Sequence, residues 1–136
     1  MKLLIFGSNF GLIHLDAAIK SKKFKKIAIC SPNIIEKKIP QSVFKYNNID
    51  DAISNFNYDM VTIATLPLIQ HEILLKIKKK KLPKYIFLEK PLLNKTIKIL
   101  KKSFNKTKYL TNFIFTFHKV WVDLKKQISF RKKYKS

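Results

Sequence analysis

Four clusters of residues in this chain have the types and spacing to do chemistry. The first is Gly7-Ser8-Asn9-Phe10-Gly11, between a short apolar run and an amphipathic one. Glycines at a strand-to-helix turn let the backbone close tightly and aim helix N-terminal amides at an anion such as pyrophosphate. The strict fingerprint would place glycine at positions 9 and 12, where this chain has Asn9 and Leu12. A plain strand–helix turn, with glycine supplying conformational freedom, would use the same residues. A carboxylate placed at Gly11 is expected to repel a bound pyrophosphate. The second cluster is Cys30-Ser31-Pro32-Asn33, where an acid ~20 residues past the glycine turn would hold a ribose 2′-hydroxyl. No acid stands there. Ser31 with Lys37 or Lys38 would accommodate a 2′-phosphate instead, although an ordinary loop with background lysines has the same composition. The third cluster, Ile63-Ala64-Thr65-Leu66-Pro67-Leu68-Ile69-Gln70, and the fourth, Glu89-Lys90-Pro91-Leu92, each follow an apolar run. Both then fall at the carboxyl ends of strands, where open α/β sheets bind ligands.

The remaining reactive residues form no set. His14, His71 and His118 are far apart and lack carboxylates or cysteines at metal-ligand spacing. His14 reads as a packed or surface histidine on a helix. Cys30 lies inside an apolar run, an environment unsuited to a thiolate nucleophile.

These clusters need a scaffold, and the chain supplies one by alternating short apolar runs with amphipathic stretches. Lys2–Phe6, Ile27–Cys30, Met60–Ala64 and Lys84–Leu88 read as strands, with 42–46 a shorter one and Tyr109–Phe117 a sixth. Helices are expected over Phe10–Lys20, over Asp50–Asn55 with Asp50 as its cap, over Leu68–Lys79, and around Ile97–Leu100. Strands that are apolar throughout and separated by helices call for a parallel sheet covered on both faces. The expected fold is a doubly wound, Rossmann-like α/β domain with strand order 3-2-1-4-5-6.

Composition narrows the classes further. The chain has 136 residues, 46% of them hydrophobic, which allows one domain with a real core and excludes a disordered chain. One cysteine excludes a disulfide scaffold. No apolar run approaches the ~20 residues of a membrane helix. The apolar N-terminus is broken by Gly7, Ser8 and Asn9 without a small-residue cleavage site, so a cytoplasmic setting and no membrane partner are expected. Lys+Arg 29 against Asp+Glu 8 gives a net charge of +21, which raises polyanions as partners. Arg131 is the sole arginine, however, and arginine is the residue suited to bidentate recognition of phosphate and guanine. The lysines accompany abundant Ile and Asn, residues with A/T-rich codons. The charge therefore reads as compositional background, with no specific nucleic-acid partner. A non-enzymatic basic module that holds polyanions or nucleic acid through its lysines is the alternative.

With Ile63-Ala64-Thr65-Leu66-Pro67 and Glu89-Lys90-Pro91-Leu92 at their observed distance, the chain resembles the N-terminal part of the Gfo/Idh/MocA oxidoreductases, a family that includes glucose–fructose oxidoreductase and inositol dehydrogenase. The resemblance covers roughly residues 1–125. It extends to Asn112-Phe113 through Trp121, similar to the family's stretch leading into its second domain, with Thr116 where arginine is common. The turn from Gly7 to Gly11 is similar to that of thiazolinyl imide reductases in the same superfamily. The resemblance implies an NAD(P)-dependent oxidoreductase acting on a sugar, polyol or sugar nucleotide, with NADP or NAD as cofactor. It implies Lys90 as the catalytic residue and, with Glu89, as a neighbour of the nicotinamide ribose. It further implies Gly7, Ser8, Asn9, Phe10, Gly11, Ser31, Thr65, Leu66, Pro67 and Gln70 as cofactor contacts, Gln70 standing where many members carry histidine. Residues 1–118 would form the dinucleotide-binding domain and 119–136 a basic segment at the start of a missing second domain. A truncated, poorly active chain is expected, completed by a homo-oligomer or by a partner chain that supplies the second domain.

Overall fold

A computed structural model describes residues 1–111. The C-terminal part of the expected sixth strand, Asn112–Trp121 with Thr116 and His118, and the basic segment 119–136 lie outside the described residues. Chain order is β1 (Lys2–Phe6), α1 (Phe10–Ser21), β2 (Lys26–Cys30), a 3₁₀ turn (Ile34–Glu36), β3 (Val43–Tyr46), α2 (Ile49–Asn55), β4 (Met60–Ile63), α3 (Pro67–Lys80), β5 (Tyr85–Leu88), α4 (Asn94–Ser103) and β6 (Lys108–Thr111). The six strands form one all-parallel sheet in the order β3-β2-β1-β4-β5-β6, the order expected from the sequence.

Strand side chains alternate between the two faces of the sheet, which explains why the central strands read as unbroken apolar runs. Leu4 and Phe6 of β1 join Ala28, Val61, Ile63 and Ile86 under α2, α3 and α4. Leu3 and Ile5 join Ile27, Ile29 and Val43 under α1, where Leu15 and Ala18 complete the layer. Strand register sets Phe6 beside Cys30 and Ile63, and Ile63 beside Leu88, so the strand ends bearing the four clusters finish at one edge.

The helix boundaries hold one correction. Asp50 does not cap α2. The cap is Asn48, whose Oδ1 accepts from the amides of Asp50 at 2.8 Å and Asp51 at 3.2 Å. Asp50 and Asp51 occupy the first turn instead, where their charge complements the positive end of the helix. The helix expected around Ile97–Leu100 runs from Asn94 to Ser103, with Leu93 and Phe104 as its caps; Leu100 and Phe104 are buried in the core. Among the described residues, no helix is long and apolar enough to cross a membrane.

Candidate functional site

A cleft of about 800 Å³ opens at the carboxyl edge of the sheet. Its floor is the turn after β1, with Gly7, Ser8, Asn9 and Phe10 on the lining. Gly7 sits at φ +111°, in a region L side chains rarely adopt. Its N–H donates to the carbonyl of Cys30 at 2.9 Å, while the Ala64 N–H donates to the Phe6 carbonyl at 2.9 Å. The turn is thus tied to both neighbouring strands. α1 begins at the cleft with no acid in its first turn, and the side chain of its N-cap residue Asn9 makes no capping hydrogen bond. Its positive end therefore faces the cleft without a protein carboxylate in that turn.

Thr65, Leu66 and Pro67 form one wall and Glu89, Lys90 and Pro91 the next. Ser31 and Pro32, after β2, lie at the other end with Asn47, Asn48, Ile49 and Asp50. Ile69, Ile73 and Lys76 line the cleft from α3. Sequence reasoning missed this contribution from α2 and α3, although the spacing of Ile69, Ile73 and Lys76 marks one helix face. The two carboxylates on the lining are engaged: Asp50 pairs with Lys76, and Glu89 Oε1 lies 2.8 Å from His14 Nε2. Cys30 also lines the cleft. Burial, with the Asp51 carboxylate nearby, pushes its thiol up to about 12, so it stays protonated and unreactive at neutral pH.

Four residues expected at or near the cofactor stand off the lining. Gly11 is buried in α1 and faces the sheet, where an added Cβ would lie 3.4 Å from Ile5 Cγ2 and 3.6 Å from the Phe6 carbonyl oxygen. A carboxylate at position 11 would thus enter the core under α1, which corrects the expectation that it would confront a pyrophosphate. Gln70 is completely buried behind the wall. Its Nε2 donates to the carbonyls of Thr65 at 3.1 Å and Glu89 at 2.7 Å, joining the two loops that form the walls. Its Oε1 has no hydrogen-bond partner among the described residues. Lys37 and Lys38 lie off the lining; Lys37 follows the 3₁₀ turn, and its carbonyl accepts from Lys45 Nζ.

His71 is next to Gln70 but turns away from the cleft, with Nδ1 3.4 Å from Thr96 Oγ1 between α3 and α4. Burial, aided by Lys95, holds its pKa below the usual histidine value. Among the described residues, no group of three His, Cys, Asp or Glu side chains could hold a metal ion.

No protein-family model matches the chain, and no curated protein matches it in sequence. Solved structures do match its fold. Scyllo-inositol dehydrogenase from Lactobacillus casei, with bound cofactor NAD(H) and scyllo-inositol, superposes with a TM-score of 0.72 at 23% identity over 97% of this chain and 42% of that one. A probable dehydrogenase from Thermotoga maritima gives 0.73 at 21% identity over 95% of this chain and 41% of that one. The WlbA dehydrogenase from Bordetella pertussis, in complex with NADH and UDP-GlcNAcA, gives 0.70 at 15% identity over 94% and 41%. The chain spans about two-fifths of the length of these dehydrogenases and shares with them a doubly wound α/β fold.

Proposed function

We propose that this chain is the nicotinamide-dinucleotide-binding part of a Gfo/Idh/MocA-like oxidoreductase acting on a sugar, polyol or sugar nucleotide. One observation carries the reading: the turn Gly7–Phe10, the Thr65–Pro67 loop and Glu89–Lys90 converge on one cleft at the carboxyl edge of the sheet. In the doubly wound plan that edge takes the dinucleotide, with pyrophosphate over the first helix N-terminus. The fold neighbours crystallised with NAD(H) or NADH support the cofactor class, and those holding scyllo-inositol or UDP-GlcNAcA support the substrate class.

In this reading the backbone around Ser8–Phe10 binds the pyrophosphate and Ser31 faces the adenosine ribose. Thr65, Leu66 and Pro67 shape the nicotinamide wall. Lys90 is the catalytic residue, placed to hydrogen-bond the reacting hydroxyl or the nicotinamide ribose. The cofactor supplies the hydride chemistry, and the chain supplies orientation and charge. Ser31 in place of an acid after β2 leaves both NAD and NADP as candidates.

Titration calorimetry of the full 136-residue chain with NADH and NADPH tests the reading. Saturable binding of at least one, weakened in Lys90→Ala with the fold intact, is expected. No binding of either at millimolar concentration would refute it. Cofactor reduction followed with a panel of inositols, hexoses and sugar nucleotides then addresses the substrate.

A further inference from the structure

We propose that Glu89 is a positioning residue, a junction that fixes the Lys90 loop against three separate elements, and that His14 is its side-chain anchor. This inference rests on the dinucleotide-binding reading only for its consequence. The junction itself is visible in the free chain.

Among the described residues, three hydrogen bonds meet at Glu89, each from a different part of the fold. Its N–H donates to the carbonyl of Ile63 at the end of β4 at 3.0 Å. Its carbonyl accepts from Gln70 Nε2 on α3 at 2.7 Å. Its carboxylate Oε1 meets His14 Nε2 of α1 at 2.8 Å. The last contact joins residues 75 apart in sequence and is well shielded, with side-chain exposures of 21% for His14 and 12% for Glu89. His14 is itself fixed, its ring tilted against Phe87 of β5 at a centroid distance of 5.2 Å. A loop held through amide, carbonyl and side chain has little freedom left, and the next residue is Lys90 on the cleft wall.

The same link joins two elements that border the cleft. α1 begins at the glycine turn, and His14 lies one turn into it. The carboxylate of Glu89 therefore ties the helix whose N-terminus would meet pyrophosphate to the loop that would meet nicotinamide. A ligand spanning both ends needs them at a fixed separation, and preorganisation of that separation raises affinity. A hydrogen bond to a carboxylate is worth enough to shift a loop equilibrium roughly tenfold, and apparent affinity falls by the fraction of competent loop lost.

Hydrogen exchange and NADH titration on the full chain separate the two claims. In His14→Leu, exchange of the peptide covering residues 86–95 should rise roughly tenfold while the melting temperature and the exchange of β1 and β2 stay close to wild type. His14→Gln, whose amide nitrogen reaches the same place, should restore protection. Glu89→Ala cuts the link from the other side and should show the same rise over 86–95, which keeps the test decisive if His14→Leu fails to fold. NADH affinity should follow the loop, weaker in His14→Leu and recovered in His14→Gln. Unchanged exchange over 86–95, or a rise shared equally by the whole sheet, would overturn the junction. If wild type bound no NADH, the proposed function would fall and the exchange result would still decide the junction.

Discussion

A Cβ built on Gly7 would stand 2.2 Å from the carbonyl oxygen of Ala64 and 3.0 Å from its carbonyl carbon. That oxygen belongs to backbone at the end of β4, which is paired to β1 and cannot give way as a side-chain tip could. Gly7 also sits at φ +111°, so any substitution adds conformational strain to the clash.

Gly7→Ala should therefore destabilise the chain by more than about 3 kcal/mol, beyond the 1–3 kcal/mol typical of a strained backbone residue alone. Urea unfolding followed by circular dichroism measures this. A midpoint within error of wild type would mean that the turn relaxes away from Ala64.

Gly11 behaves differently although it belongs to the same motif. It lies in α1 with an ordinary helical backbone, and its added Cβ would make van der Waals contact with Ile5. Glycine inside a helix costs about 1 kcal/mol relative to alanine. Gly11→Ala should be neutral to slightly stabilising, whereas Gly11→Asp drives a carboxylate into the layer formed by Leu3, Ile5 and Leu15 and should unfold the protein. Thermal melts of both variants decide, and a soluble, native-like Gly11→Asp would contradict this placement.

The two glycines show how far the sequence could be read. Strand order and the site edge were legible because Leu3–Phe6, Ile27–Cys30 and Val61–Ile63 are buried on both faces, and such runs are continuous in sequence. The pairing of clusters followed from topology, since parallel strands all deliver their carboxyl ends to one edge. What stayed hidden was direction. Gly11 faces Ile5 and Gln70 faces the carbonyls of Thr65 and Glu89, and neither orientation is encoded by residue type. His14 and Glu89 meet across the sheet, and only the spacing of Gly11, His14 and Leu15 on one side of α1 hinted that His14 turns inward. The cap of α2 failed for a local reason: Asn48 and Asp50 both cap well, and the amides of residues 50 and 51 chose the earlier one.

Stability should fall on the alkaline side through two buried acids. Tyr58 is buried with its hydroxyl donating to the Lys81 carbonyl at 2.7 Å, and burial raises its pKa to about 12 from 10.0. Cys30 is raised to about 12 from 9.0, by burial first and Asp51 second. Both folded values exceed the unfolded ones, so their contribution is complete below pH 9 and is lost between about pH 9 and 12. Urea midpoints measured from pH 8 to 11 should decline in wild type, and Cys30→Ala should flatten the portion that begins near pH 9. An identical decline in both chains would show that the thiol is not involved.

The acid side has a smaller counterpart. Asp59 Oδ2 accepts from the Lys2 N–H at 2.9 Å, and this bond holds its carboxyl below the usual value of 3.8. Its support for the start of β1 is present above that pH and disappears as pH drops further, so Asp59→Asn should lose acid sensitivity near the N-terminal strand. Proton exchange of the Lys2 and Leu3 amides between pH 3 and 5 reports it directly, and equal profiles in both chains would remove the assignment.

Polyanion binding is the last outcome, and geometry sharpens what composition suggests. α1, α3 and α4 run antiparallel to the strands, so their C-terminal lysines, Lys20, Lys78–Lys80 and Lys101–Lys102, gather at the amino edge of the sheet. The exposed Lys25 and Lys26 before and at the start of β2, and Lys84 before β5, share that edge. Lysines at helix C-termini complement the helix dipole, which accounts for several without any partner. The edge lies opposite the cleft. Duplex DNA should therefore bind without sequence preference, with affinity dropping steeply as salt rises from about 50 to about 200 mM, and saturating NADH should leave that binding unchanged. Fluorescence anisotropy with two unrelated duplexes, with and without NADH, measures all three. A sequence preference that persists at physiological salt would promote the lysines from solvated background to a selected surface. Competition with NADH would instead place the DNA at the carboxyl edge, among the residues assigned to the dinucleotide.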